Sequence, residues 1–489
     1  MKKTFFKQTY ENIREQLQNR AISLVVVSFL IIFLEYIYIA LRFSYLNEGI
    51  PFWFTKIWGD MQLAPKSNIY VIPLISVLIS LFGLFLILFN RYHIRYLPQT
   101  VWFFVISANL FLFYSVVRII FSSSSPFPPL IPPQYMRLLP VFFAAYLFVN
   151  FILPYFIEFA HKQRLITNPD IHGHPAMVLK TPSARGGGFV YGIAVVILSI
   201  LFVGVNEQFS GFYLSIFMLS ILGLLDDYQN THPDSEFKFI ENPLVRLILM
   251  VISILPLLLS GVFIQTIQNP ITQGLLNLQN IPFLSVIFTV VWLIWFMNLL
   301  SWSNGVDGQY SGIVGFTSII VAILALRFEE ITPLYRQVAL IAAISAGASF
   351  GFTKHTWHPS KIMWGFGATV AGLVIAILSI FAQTKIVTSV LIIIIPFMDA
   401  FITVIRRLFQ GKNPLKGDRG HLHHHLLDRG WSVHKVSLFY WLTTLVFGLV
   451  ALLSPEKYFF QVLLIIFGLV AFFIILLNVI SFNGKKERS

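Results

Sequence analysis

The chain has 489 residues, 57% of them hydrophobic and 11% charged, with a formal charge of +13. Soluble domains average about 25% charged residues, so this composition excludes an ordinary globular enzyme. It contains no cysteine, which excludes disulfides, thiolate metal sites and cysteine nucleophiles.

Apolar runs recur along the whole chain, each close to the roughly 20 residues needed to cross the hydrocarbon. They predict an all-α polytopic membrane protein with about fourteen transmembrane helices. The predicted spans are 22–45, 70–90, 101–121, 138–159, 187–205, 210–225, 244–264 and 283–300, then 308–326, 337–353, 364–382, 387–404, 437–453 and 458–481. The opening MKKTFFKQTYENIREQLQNR is too long and too acidic for a signal-peptide head, and no small-residue cleavage site follows it. The first run is therefore read as a true span.

Alternating sides from a cytoplasmic N-terminus puts Lys2, Lys3, Lys7, Arg14, Arg20, Arg91, Arg95, Lys162, Arg164, Lys180, Arg185, Lys354 and Lys361 inside. Arg406 to Lys435 and the tail residues Lys485, Lys486 and Arg488 fall on the same side. Roughly 24 of the 34 basic residues then obey the positive-inside rule. The basic charge is thus spent on topology, and nucleic acid is not an expected partner.

The stretch SSSSPFPPLIPP at 122–133 is too polar for lipid and too rich in proline for a helix. It divides the chain into a three-span accessory region (1–121), an external linker (122–137) and a core (138–489) of about eleven spans. The accessory region shows no clustered polar chemistry along the sequence. In the core, five polar loops share one side.

The first loop is HGHPAMVLKTPSARGGGFVYG, 172–192, where Lys180 and Arg185 bracket a Thr-Pro turn and Gly186 to Gly188 open the next span. Backbone N–H groups at such a helix start, with two cations beside them, suit a phosphate. A flexible basic loop at the headgroups explains the same residues. The second is LLDDYQN, 224–230, whose Asp226 and Asp227 repel each other unless a cation or shared proton relieves them. A solvated helix end is the plainer alternative. In NLLSWSNGVDGQ, 298–309, Asn298, Asn304, Asp307 and two glycines surround a turn. KHTWHPSKIMWGFG, 354–367, is short, basic and aromatic. The stretch 396–432 holds Asp399, Arg406, Arg407, Asp418, Arg419, His421, His423, His424 and His425. Without a second spaced ligand set, anion binding from a loop fits these histidines better than structural zinc.

Together these motifs resemble the polyprenyl-phosphate N-acetylhexosamine-1-phosphate transferase family (glycosyltransferase family 4) over about residues 138–482. Lys180-Thr181-Pro182 with Gly187-Gly188 is similar to the family's first loop, and Asp226-Asp227 to its Asp-Asp motif. Asn298 with Gly305, Asp307 and Gly308 is similar to its third motif. Pro396, Asp399, Arg407, Asp418, Arg419, His421, His423 and His424 resemble the histidine signature of the GlcNAc-type branch. The resemblance implies transfer of a sugar 1-phosphate from a UDP-sugar to undecaprenyl phosphate with release of UMP and with Mg²⁺ as cofactor. This would be a first membrane step of envelope glycan synthesis, at the cytoplasmic face of a bacterial inner membrane. It also implies that Asp226, Asp227 and Asp307 are catalytic and bind the metal. Lys180, Asn298, Asn304, Arg407, Asp418, Arg419, His421, His423 and His424 would hold substrate.

Three positions depart from the pattern. Phe366 stands where the family has a metal-binding Asp, Asn304 where an Asp is usual, and Ser301 where an Asn is usual. Phenylalanine offers Mg²⁺ no oxygen. Two alternatives therefore stand beside the transferase: a silent relative that binds lipid phosphate or nucleotide sugar, and a transporter. The transporter would need charges deep in spans, and those are scarce apart from Arg42 and Arg118, which are read at span ends.

Overall fold

The computed structural model describes residues 21–53, 55–56, 59–88, 97–123, 132–167, 182–268, 274–281, 283–327, 331–382, 386–411, 420–454 and 459–486. Among these the protein is all-α apart from three two-stranded antiparallel hairpins. The chain divides into two compact units, Met1–Pro132 and Pro133–Ser489.

Among the described residues, seven helices are long and apolar enough to cross a membrane, by length and composition alone. Five further apolar helices run 10–17 residues. Each predicted run contains a helix among the described residues, but length and hydropathy do not by themselves yield about fourteen full spans. The physical reason lies in packing. A 17-residue helix such as Gly187–Val203 rises only about 25 Å, and it is enclosed by neighbours rather than lipid along much of its length. The run 387–404 is two helices, Ile386–Ile392 and Ile394–Phe409. The shortest predicted span, 210–225, is the middle of a 25-residue helix, Glu207–Thr231.

Unit 1 consists of α1 (Ala21–Arg42), α2 (Val71–Leu88) and α3 (Leu97–Ser122), with a small hairpin pairing Gly49–Pro51 to Leu63–Pro65. Its interior corrects the expectation of no clustered polar chemistry. Asn109 Nδ2 donates to Ser28 Oγ at 2.8 Å and to Ser80 Oγ at 2.9 Å. Ser76 Oγ donates to the fully buried Glu35 at 3.0 Å. Ser28 with Glu35, and Ser76 with Ser80, recur at helical spacing and share a face, which a linear reading disperses. In lipid such groups must find one another. The stretch 124–131 of the proposed linker lies outside the described residues, while Pro133–Met136 forms one helical turn.

Unit 2 contains α4 (Leu138–Lys162), α5 (Gly187–Val203), α6 (Glu207–Thr231), α7 (Pro243–Leu259), α8 (Leu284–Trp302), α9 (Gln309–Ala325), α10 (Pro333–Thr356) and α11 (Ala368–Phe381). Then come α12 (Ile386–Ile392), α13 (Ile394–Phe409), α14 (Leu422–Asp428), α15 (Val433–Leu453) and α16 (Phe459–Lys486). Caps explain several starts: Asn206 Oδ1 accepts from Phe209 N–H at 2.8 Å, and Asn242 and Thr332 each precede a proline in the first helical position. Small residues let helices touch. Gly347 and Gly351 of α10 lie against the carbonyls of Phe142 and Tyr146 of α4, the close approach typical of membrane interfaces. Large apolar side chains remain exposed on outer surfaces, Leu259, Phe151 and Leu201 among them, as a lipid-facing exterior requires.

Candidate active site

The second, first and fourth loops meet at Asp227. Asp226 and Asp227 do not follow their helix but lie within its last turns, 2% and 0% exposed. Asp227 Oδ2 accepts from Gly186 N–H at 3.1 Å, and Oδ1 accepts from Phe366 N–H at 3.1 Å and faces Arg185 Nη1 at 3.3 Å. Arg185 also donates from Nε to Thr167. The hairpin pairing Ile166–Thr167 with Ser183–Ala184 holds this arginine in place. Gly365, at φ +63°, leaves room for the carboxylate, since a Cβ there would collide with it.

Asp226 is held from the other side. Its Oδ2 accepts from Asn230 Nδ2 at 2.7 Å. Its Oδ1 lies 2.9 Å from Arg246 Nη2, an ion pair without an aligned hydrogen bond. Arg246 opens α7, and its guanidinium sits 5.0 Å from the centre of the Phe366 ring.

The fourth loop carries the contact onward. It is tied to the first loop by Ala184 N–H to the Lys361 carbonyl (3.1 Å), Met363 N–H to the Ala184 carbonyl (2.8 Å) and Gly188 N–H to the Trp364 carbonyl (3.0 Å). Farther along, Ser360 N–H donates to Asp307 Oδ2 at 3.2 Å and His358 Nδ1 meets the same oxygen at 2.7 Å. The His358–Pro359 peptide is cis. One loop thus gives backbone N–H groups to two aspartates, Asp227 at the end of α6 and Asp307 in the turn between α8 and α9. Ser437 Oγ donates to the Asp307 carbonyl at 2.8 Å, which joins α15 to the third loop.

The histidine tract is not a displayed loop. His421 caps a short buried helix, α14, and its Nδ1 lies 3.1 Å from Asp399 Oδ2 while Leu422 N–H donates to Asp399 Oδ1 at 2.7 Å. His423 and His424 are buried, and the His423 ring lies directly on Gly305, whose missing side chain makes the space. Burial first, then the neighbouring His424, His421 and His425, holds His423 well below the usual histidine range, so its imidazole is neutral. Such a ring can donate a hydrogen bond but brings no positive charge. Arg407 is buried on α13.

Asn298 lies in α8, where its Nδ2 donates to the Ile294 carbonyl at 2.8 Å, and Asn304 is half-buried just beyond that helix. Lys180, Asp418 and Arg419 lie outside the described residues, as do the basic residues of 1–20. Sequence reasoning missed Arg246. The signal was present, since it is the sole charge in PLVRLILMVISILPLLL, and a lone ionisable group in an apolar run asks for a partner.

The expected metal trio is not assembled as one site. Among the described residues no three His, Asp or Glu side chains come together as metal ligands. Asp226 and Asp227 face Arg246, Arg185, Asn230 and backbone N–H groups, while Asp307 faces His358 and Ser360. Mg²⁺ demands near-octahedral oxygen ligation, usually with one or two carboxylates and substrate phosphates. These carboxylates are already committed to internal donors, so the residues present do not fit a resident Mg²⁺.

Residues 209–383, which span Asp226 to Phe366, match the model of glycosyl transferase family 4. Over 322 residues the chain is 27% identical to a probable undecaprenyl-phosphate N-acetylglucosaminyl 1-phosphate transferase of Bacillus subtilis, a match covering 62% of this chain and 82% of that relative. Over 321 residues it is 26% identical to a phospho-N-acetylmuramoyl-pentapeptide-transferase of Staphylococcus aureus, covering 63% of this chain and 96% of that relative. None of these names describes a transporter. The membrane core of this chain is thus similar to the phosphoglycosyl transferases of glycosyl transferase family 4.

Proposed function

We propose that the protein transfers an N-acetylhexosamine 1-phosphate, GlcNAc-like, from a UDP-sugar to undecaprenyl phosphate and releases UMP. The observation that carries this reading is the convergence of Asp227, Arg185, Gly186 and Phe366 N–H at one point, with Asp226 and Arg246 beside it. An oxygen of the lipid phosphate attacks the phosphorus bearing the sugar. The bond from that phosphorus to the bridging oxygen breaks, and UMP leaves with the electron pair. A phosphate monoester is largely doubly ionised near pH 7, its second pKa being about 6, so the acceptor needs positioning more than deprotonation. Asp226 and Asp227 accordingly orient Arg246 and Arg185 toward the phosphates. The neutral His423 and its neighbours supply hydrogen bonds.

We further infer that residues 138–489 form the transferase core and 1–121 an accessory region, joined through 122–137. The active-site loops face the cytoplasm of a bacterial inner membrane. A binding-only relative is the second reading, favoured by Phe366 in place of a carboxylate.

The test uses full-length protein in detergent with UDP-GlcNAc and undecaprenyl phosphate, and follows UMP against a no-lipid control. Lipid-dependent UMP release is expected. Asp227→Asn should lower it by about 10- to 100-fold, the equivalent of one charge-assisted hydrogen-bond network at 1.5–3 kcal/mol. Saturable nucleotide binding with no UMP release from either UDP-GlcNAc or UDP-MurNAc-pentapeptide would establish the binding-only reading instead.

A further inference from the structure

Arg246 belongs to none of the motifs, and its setting says more than the orienting role given above. It stands at the start of an otherwise uncharged helix, pairs with Asp226 Oδ1 at 2.9 Å and faces the Phe366 ring at 5.0 Å from its centre. Its Nε–H is buried and finds no acceptor. Phe366 is itself pinned, since its N–H donates to Asp227 at 3.1 Å. The phenylalanine therefore serves both aspartates, one through its backbone and the other through the cation stacked on its ring.

The electrostatics of that arrangement select a particular ion. A carboxylate at position 366 beside Asp226 would concentrate two negative charges and draw a compact divalent ion. A phenyl ring removes one of those charges and offers a π face. The partner that suits one carboxylate and one aromatic face is a planar, weakly hydrated, singly charged group, which describes a guanidinium. The committed oxygens of Asp226 and Asp227 agree with this.

We propose that Arg246, clamped between Asp226 and Phe366, is the resident cation of this site, neutralising the substrate pyrophosphate where a divalent ion would otherwise be seated. The identity of the anion rests on the function proposed above; the identity of the cation does not. A lysine would keep the charge and lose the stack, so Arg246→Lys is not a conservative change here.

The full-length protein in detergent is titrated with Mn²⁺ and followed by electron paramagnetic resonance, with no nucleotide present. The wild type should show no saturable Mn²⁺ site. Phe366→Asp should gain one, and so should Arg246→Gln, which vacates Asp226; the two variants guard against either failing to fold. In a second arm, UDP binding to the wild type should change by less than about threefold between EDTA and Mg²⁺, whereas Arg246→Lys should weaken it tenfold or more in EDTA. A saturable Mn²⁺ site in the wild type, UDP binding abolished by EDTA, or monodisperse variants that gain no Mn²⁺ site would each overturn the proposal. If UDP binds under neither condition, the transferase reading fails, and the Mn²⁺ titration still decides the cation.

Discussion

His423 shows how far a single environment departs from what residue type suggests. Four histidines in five positions look like a basic patch, yet this ring is 2% exposed and held neutral by burial and its neighbours. The folded protein takes up that proton less readily than the unfolded chain. In the window between the two values the unfolded state binds more protons, so stability rises with pH there. The contribution is complete above the unfolded value of about 6.5 and drains away as pH falls toward the lower folded one. Thermal unfolding should therefore begin at lower temperature at pH 5.5 than at pH 7.5, and His423→Gln should flatten that difference. An equal pH response in the variant would show that His423 does not carry it.

At the scale of elements, the fourth loop is the strut of the site, and it can be so only because backbones meet. Gly188, at the start of α5, lies against the main chain of Gly367, and Gly223 of α6 lies on the same glycine. The start of α5 and the aspartate-bearing helix are thereby locked to the loop that donates to both Asp227 and Asp307. A β-branched side chain at 188 meets main-chain atoms that cannot swing aside. Gly188→Val should cost roughly 1–3 kcal/mol or more, read as a lower unfolding temperature, together with loss of UMP release. Gly468→Ala, where nothing lies within 4 Å, is the matched control and should change neither.

For the whole molecule, the basic residues predict that both termini and the histidine segment lie in the cytoplasm. The chain has no cysteine, so single cysteines at Ser432 and Ser489 report cleanly. An impermeant maleimide should label them only after the cells are opened. Labelling in intact cells would invert the topology. The two compact units differ in what they bury: unit 1 encloses Glu35 and a Ser28, Ser80 and Asn109 network, unit 2 the aspartate and histidine site.

Hydrophobic runs were legible because hydropathy adds along the chain, and a stretch such as 70–90 or 437–453 is apolar whatever surrounds it. The order of Asp226-Asp227, Asp307 and the histidines was legible for a related reason, each motif being local. Those motifs identified the family without its geometry. The ion pair of Arg246 with Asp226, the ring of Phe366 beneath it and the buried state of His423 were decided only when the helices packed. Burial and ion pairing depend on which surfaces meet, and residues 226, 246 and 366 meet across three separate elements. The same holds for Glu35 and Ser76, 41 residues apart in sequence and joined by one hydrogen bond. A sequence determines which groups must find partners in lipid; tertiary structure alone determines the partner, because a buried charge takes whichever counter-charge the packing places beside it.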